Sequence, residues 1–111
     1  MEALSPTTVP LKITFQVKGI IEGHTLLDHL VEERLIAGGT VIQAESLNWV
    51  GGEITAKGKK EVTAYTTFEK LPIIQQRLQA LCGDFTPIIS QYVMAGEKEE
   101  VEEWILRNVR S

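Results

Sequence analysis

The chain has little of several residue types, and each shortage excludes a class of protein. It contains a single cysteine, Cys82, so no framework of disulfide bonds can form within the chain. Its 11 lysine and arginine residues are fewer than its 15 acidic residues, and the net charge of −4 argues against general binding to nucleic acid or to an anionic membrane surface. It also has no apolar run near the roughly 18 residues that a membrane-spanning helix needs.

The N-terminal stretch lacks the marks of a secretory signal peptide. Met1–Pro10 has no basic start and no continuous apolar segment, so we expect a cytoplasmic protein. Its prolines and hydroxyl residues predict a flexible tail over residues 1–10, and residues 11–111 have the length of a single domain. A domain of this size leaves much of its surface exposed, so oligomerisation is a natural way to bury more apolar area.

Hydrophobic periodicity predicts the element order β-α-β-β-α-β-α. Ile13, Phe15 and Val17 alternate with polar residues, which is typical of a half-buried strand, and later apolar residues recur at helical or strand spacing. The first six elements match the ferredoxin-like α+β fold, in which two helices cover one face of an antiparallel sheet. The predicted elements are a strand over 13–17, a helix carrying Leu27 to Leu35, strands over Thr40–Trp49 and Glu61–Thr67, a helix carrying Leu71 to Leu81, a strand over Pro87–Val93 and a helix carrying Val101 to Val109.

The connections carry their own signals. Gly38–Gly39 is predicted to supply the left-handed residue that ends the first helix. The glycines and lysines of 51–60 predict a long polar connection between the second and third strands. Thr66 and Glu69 have the spacing of a capping box, and Pro72 fits only in the first turn of the second helix.

Several of these segments together resemble the CutA divalent-cation tolerance family. The similar segments are Leu30–Ala37, Trp49 with the hairpin that follows it, Thr66–Thr67, Cys82–Ile89 and Trp104–Ile105, so the resemblance runs from about Val17 to Ile105. It implies a ferredoxin-like protomer, a homotrimer and an association with tolerance to divalent metals.

Four positions depart from the family pattern. Gly38 stands where the family has a cysteine that is proposed to bind copper, and Cys82 replaces the family's histidine. Tyr65 lies near its usual lysine, and Val50 takes the place of the glutamate that often follows the tryptophan. These departures weaken the inference to a family-type metal site and leave the fold inference intact.

The candidate metal ligands are Cys82, His24 and His29. A thiolate suits copper or zinc, and either ion is the cofactor that these residues would hold. The two histidines are five residues apart, roughly 140° around a helix, whereas a ligand pair on a helix normally uses a spacing of four. Solvated histidines and a buried free cysteine are therefore the favoured interpretation, although ligands from three chains could still converge.

Other residues are candidates for an interface or a ligand cleft. Lys57, Lys59 and Lys60 form a basic segment of the kind that PII-type signalling proteins of the same fold place around nucleotides. Trp49 is either a core residue or an interface anchor, and Tyr65 belongs to the same candidate cleft. Trp104 is favoured as a core residue. The acidic cluster of the last helix could chelate a hard cation, but complementing the helix dipole is the favoured role for its members, Glu97, Glu99, Glu100, Glu102 and Glu103.

The sequence has no recognisable catalytic constellation. Cys82 has no identifiable base, and the loop Lys18–Gly23 has no arginine of the kind with which acylphosphatases hold phosphate. We therefore predict that the chain is not an enzyme. Three functions stay open at this point: a trimeric CutA-like protein associated with divalent-cation tolerance and metal binding, a PII-like sensor of a small molecule such as a nucleotide, and a structural trimer without ligand.

Overall fold

A computed structural model provides the structure of residues 9–81, 87–93 and 98–109, apart from the side chains of residues 98 and 99. Its strands form one antiparallel sheet in the order β2-β3-β1-β4, so the predicted ferredoxin-like α+β fold with an added C-terminal helix is confirmed. A short 3₁₀ turn, Phe68–Lys70, leads into the second helix. The elements are β1 (Pro10–Val17), α1 (Ile20–Glu32), β2 (Gly38–Val50), β3 (Glu53–Thr67), α2 (Leu71–Leu81), β4 (Ile89–Tyr92) and α3 (Lys98–Asn108).

The core lies between α1, α2 and one face of the sheet, which we call the helical face. β1 turns Ile13, Phe15 and Val17 towards it, as their alternation with polar residues predicts. Pro10, which the sequence assigns to the tail, is already part of β1 and pairs with Thr67. The side chains that fill the core are Ile13, Phe15, Val17, Leu26, Leu27, Leu30, Leu35, Ile36, Val62, Ala64, Ile74 and Leu78.

α3 lies on the other face of the sheet, which we call the open face. Its Trp104 packs edge-on against Tyr65, with ring centroids 5.5 Å apart. Tyr65 alternates with the core residue Ala64, so its side chain projects from the open face. Ile105 and Val109 of α3 are buried. Trp104 is 36% exposed, so it is only partly buried and is not the core residue that the sequence favours.

The β2–β3 hairpin is longer and more regular than the sequence predicts. Gly51 and Gly52 have φ angles of 59° and 85° and reverse the chain in a tight two-residue turn. Pairing then runs without interruption from Val50↔Glu53 to Gly38↔Tyr65. The prediction of a long polar connection over 51–60 is therefore wrong, because two glycines suffice for the turn and the residues after it continue the strand.

The hairpin makes the molecule elongated. Its principal extents are 54 × 31 × 19 Å, and its radius of gyration is 15.3 Å. A compact domain of this length would have a radius of gyration of roughly 13 Å. Part of the hairpin therefore extends beyond the helices that cover the rest of the sheet.

The C-terminus of α1 differs from the prediction as well. Arg34 has a φ angle of 58° and is the left-handed residue that ends the helix. The amide of Leu35 donates to the carbonyl of Leu30, and that of Arg34 to Val31, as in a Schellman motif. Gly38–Gly39 does not end the helix; it begins β2. The glycines are conspicuous in the sequence, but the left-handed residue that follows the helix lies four positions earlier, at Arg34.

The start of α2 uses a different device from the predicted capping box. The 3₁₀ turn begins after Thr67, which makes no side-chain cap, and the hydroxyl of Thr66 donates to the carbonyl of Leu35 instead. Pro72 lies in the first turn of α2, as predicted. Among the described residues, each helix is too short or too polar to cross a lipid bilayer.

Candidate functional site

The outer part of the hairpin, residues 47–58, is exposed at every position, and we call it the arm. It nevertheless carries large apolar side chains: Trp49 is 75% exposed, Leu47 67%, Ile54 62% and Val50 60%. Trp49 lies opposite Ile54 across the two strands, so the two side chains share one face of the arm with Leu47. Trp49 is therefore not a core residue of its own chain, and the interface interpretation is the one that remains.

The two edges of the sheet extend this exposed surface. β2 and β4 are the outer strands, and β2 is 13 residues long. An edge strand presents unpaired backbone amides and carbonyls that can pair with another chain. On β4, Ile89 and Tyr92 are 68% and 72% exposed. The arm and both edges thus offer apolar contacts and backbone hydrogen bonds at the same time.

The three candidate lysines do not form a flexible basic loop, because all of them lie in β3. Lys57 and Lys59 are opposite Ser46 and Ala44 and project from the open face, whereas Lys60 is opposite Gln43 and projects from the other. Lys59 also forms a salt bridge of 3.1 Å with Glu61. The lysines therefore lie on a regular strand and not in a flexible loop, and their predicted role around a nucleotide stays a prediction.

The predicted cleft is not assembled within one chain. Trp49 lies near the tip of β2, while Tyr65 pairs with Gly38 at its base. Eleven residues of strand separate these two levels, which corresponds to roughly 36 Å. Trp49 and Tyr65 can share a site only if they come from different protomers.

The structure gives the candidate metal ligands no common site. His24 and His29 are both exposed on α1, and Cys82 lies outside the described residues. In residues 9–81, 87–93 and 98–109, no three side chains of His, Cys, Asp or Glu come together as a metal site would require. Of the acidic cluster, Glu100, Glu102 and Glu103 lie in α3, and the side chains of the other two members are not described.

Gly38 and its surroundings do not fit the copper site that the family resemblance implies. The residue has no side chain to offer, and the indole of Trp104 covers it: a Cβ atom at position 38 would lie 2.8 Å from Cζ2 of that ring. A thiol at this position would have to displace the ring. In this chain, therefore, the ring of Trp104 occupies the space that the side chain of that cysteine would need.

Sequence reasoning missed the apolar continuity of the arm. The signal was available, since Gly51–Gly52 is flanked by alternating apolar residues, a strong short-range sign of a tight hairpin. It also missed the ion pair between Arg77 and Glu33, which ties α2 to the end of α1 with a shortest N···O distance of 2.7 Å. The two residues are far apart in sequence, so no local spacing could have revealed their pairing.

Comparison with known proteins agrees with this architecture. The family model for the CutA1 divalent ion tolerance protein matches residues 11–108. No protein with a curated description matches the chain. Similar solved structures include a divalent cation tolerance protein (CutA1) from Thermus thermophilus, with 23% identity, 92% of this chain and 100% of that chain covered, and a TM-score of 0.72.

Two further similar structures come from a bacterium and a plant. CutA1 from a psychrotrophic Shewanella bacterium has 19% identity, with 95% of this chain and 99% of that chain covered and a TM-score of 0.74. CutA1 from Oryza sativa has 20% identity, with 95% and 98% covered and a TM-score of 0.70. At these identities the structural likeness shows the shared fold.

Proposed function

The chain belongs to the CutA1 divalent ion tolerance family, and from this premise we propose that it works as a homotrimer whose protomers are joined through the arm and the free sheet edges. Membership of the family also confirms the prediction that the chain is not an enzyme. The observation that carries the proposal is the arm, whose apolar side chains stay more than half exposed in the single chain.

The geometry of the two edges supports a closed ring. If the β2 edge of one protomer contacts the β4 edge of the next, each contact is head-to-tail, and such contacts close when the rotation between copies returns to the start. Every protomer then uses both of its edges, and no strand edge is left open for further pairing.

The energetic argument rests on the side chains of the arm. Complete burial of one large apolar side chain contributes about 1.5–3 kcal/mol. Leu47, Trp49, Val50 and Ile54 are all more than half exposed in the single chain. A contact that covered them would therefore gain several times that amount before the entropic cost of association is subtracted.

The trimer is tested by placing a charge on the arm. We expect Trp49→Glu to dissociate the assembly, because the carboxylate would have to be buried in the interface without a partner. Gln75→Glu is the matched control: Gln75 is exposed on α2, a helix that begins beyond Thr67, at the end of β3 farthest from the arm, and this variant should keep the mass of the unmodified protein. Light scattering reads the mass, and circular dichroism verifies that both variants fold. A folded Trp49→Glu variant of unchanged mass would overturn the role of the arm.

The divalent-cation part of the proposal concerns copper or zinc, the ions that thiolate and imidazole donors favour. Cys82, His24 and His29 are the candidate donors, and the trimer would allow donors from several chains to meet. Metal uptake by the full chain is measured by calorimetry, with Cys82→Ser as the variant and Glu69→Gln, a carboxylate on the 3₁₀ turn before α2, as the control. Uptake that Cys82→Ser reduces supports metal binding; no uptake of either ion leaves a structural trimer without ligand.

A further inference from the structure

A cleft of about 250 Å³ lies where the end of α1 meets the end of α3. Ile36, which is 1% exposed, belongs to the packed core and is part of its wall. The chain bends around the cleft because Arg34 adopts the left-handed conformation directly after the helix. The residues that line it are Val31, Glu32, Arg34, Ile36, Ala37 and Asn108.

The cleft combines an apolar part with two opposite charges. Val31, which is 44% exposed, and the half-buried Ala37 provide aliphatic surface beside the buried Ile36, while Glu32 and Arg34 provide a carboxylate and a guanidinium. In the described part of the chain, neither charged side chain forms a salt bridge or a side-chain hydrogen bond. The neighbouring Glu33, by contrast, is held by Arg77.

Each charge suits one end of a zwitterion. A guanidinium presents two parallel N–H donors to a carboxylate, which is the strongest geometry for that pair. An ammonium group is favoured beside Glu32, both by the carboxylate and by the negative end of the α1 dipole. Asn108, which also lines the cleft, donates its amide N–H to the carbonyl of Trp104, and its side-chain oxygen has no donor in the described part of the chain.

We propose that this cleft binds a free α-amino acid with a branched aliphatic side chain. Arg34 holds its carboxylate, Glu32 its ammonium group, and the aliphatic side chain lies on Val31 and Ala37. The volume suits a single amino acid rather than a drug-sized ligand, since sites for the latter begin at roughly 300 Å³. This site is separate from the arm and from the proposed metal donors, so its test is independent of the proposed function.

The experiment is a titration of the full chain with L-leucine, followed by amide chemical shifts. We expect saturable shifts at Val31, Ile36 and Ala37 and no comparable shifts in the arm. Two analogues separate the charges: isoamylamine lacks the carboxylate, and 4-methylpentanoate lacks the ammonium group. Each should bind at least about tenfold more weakly than leucine, because each leaves one charged side chain of the cleft unpaired.

Substitutions in the cleft provide a second, independent test. Arg34→Asn removes the guanidinium while keeping a residue that tolerates a positive φ, and Glu32→Gln removes the carboxylate without changing the shape. We expect both to weaken leucine binding by about tenfold or more. Asp28→Asn, one turn earlier on α1, is the matched control and should bind as the unmodified chain does. Absence of saturable shifts, equal binding of leucine and either analogue, or equal effects of Glu32→Gln and Asp28→Asn would each overturn the proposal.

Discussion

The indole of Trp104 lies directly on the backbone of Gly38, so that a Cβ atom at position 38 would come within 2.8 Å of Cζ2. Trp104 also packs edge-on against Tyr65, which is the β3 partner of Gly38. Glycine at this position is therefore what allows α3 to lie close to the open face. It is also the position at which the family resemblance places a copper-binding cysteine.

The contact predicts the outcome of restoring that cysteine. Gly38→Cys should destabilise the protein by about 1–3 kcal/mol, because the added side chain forces the ring out of its place. Urea unfolding measures the change. In a Trp104→Leu background the same substitution should cost clearly less, since the smaller side chain leaves room. An equal cost in both backgrounds would show that the indole is not what excludes a side chain at position 38.

Arg34 predicts a stabilising substitution at the end of α1. A non-glycine residue in the left-handed region costs roughly 1–2 kcal/mol, and its φ angle of 58° places Arg34 there. Arg34→Gly removes this cost but gives the unfolded chain more conformational entropy, which offsets part of the gain. The free energy of unfolding should therefore rise by at most about 1 kcal/mol. Arg34→Ala keeps the strain and should bring no such gain. A gain of equal size from alanine would mean that the backbone conformation is not the cause.

Two adjacent threonines form a natural matched pair. The hydroxyl of Thr66 donates a buried hydrogen bond of 2.6 Å to the carbonyl of Leu35, which connects β3 to the segment after α1. The hydroxyl of Thr67 is buried and has no hydrogen-bond partner among the described residues. Thr66→Val should cost about 1–3 kcal/mol, because it leaves the carbonyl unsatisfied, whereas Thr67→Val should be neutral or stabilising. Equal costs in thermal unfolding would contradict this difference.

The ion pair between Glu33 and Arg77 predicts a pH dependence. The Arg77 guanidinium donates hydrogen bonds to both carboxylate oxygens and holds the pKa of Glu33 below its ordinary value of 4.5. A carboxyl whose pKa is lower in the folded state stabilises the fold above its unfolded pKa and loses that contribution as the pH falls through the folded value. Both side chains are exposed, so the effect is small and is screened by salt.

Glu33→Gln should therefore lower the melting temperature slightly at pH 7, and the difference from the unmodified chain should shrink as the pH falls below 4.5. Glu32→Gln is the control, because the Glu32 side chain has no ion pair in the described part of the chain. A Glu33→Gln difference that stayed constant from pH 7 to acid would show that the loss does not come from the charge.

The elements of the fold were predictable because each has its own periodicity. Ile13, Phe15 and Val17 identify β1 by simple alternation. Pro72 fits only in the first turn of a helix, so it indicates where α2 begins. The end of α1 was not predictable in the same way. Arg34 adopts the left-handed conformation together with the backbone hydrogen bonds that end the helix, from Arg34 to Val31 and from Leu35 to Leu30. The preference of glycine for that conformation points to Gly38–Gly39 instead.

The candidate site was less predictable because it depends on distances between elements. The sequence places Trp49 and Tyr65 in one cleft, and the regular pairing of the hairpin separates them instead. The cleft at Glu32 and Arg34 brings the end of α1 next to Asn108 of α3, more than 70 residues later in the chain. No spacing within either segment indicates that contact, which arises only when α3 packs on the sheet.

We propose that the arm and the sheet edges join three copies of this chain. The most direct test is the mass of the unmodified protein in solution, measured by size-exclusion chromatography with light scattering across a range of concentrations. We expect a single species of three times the 12.4 kDa chain mass. A species that stays at 12.4 kDa at every concentration would contradict it.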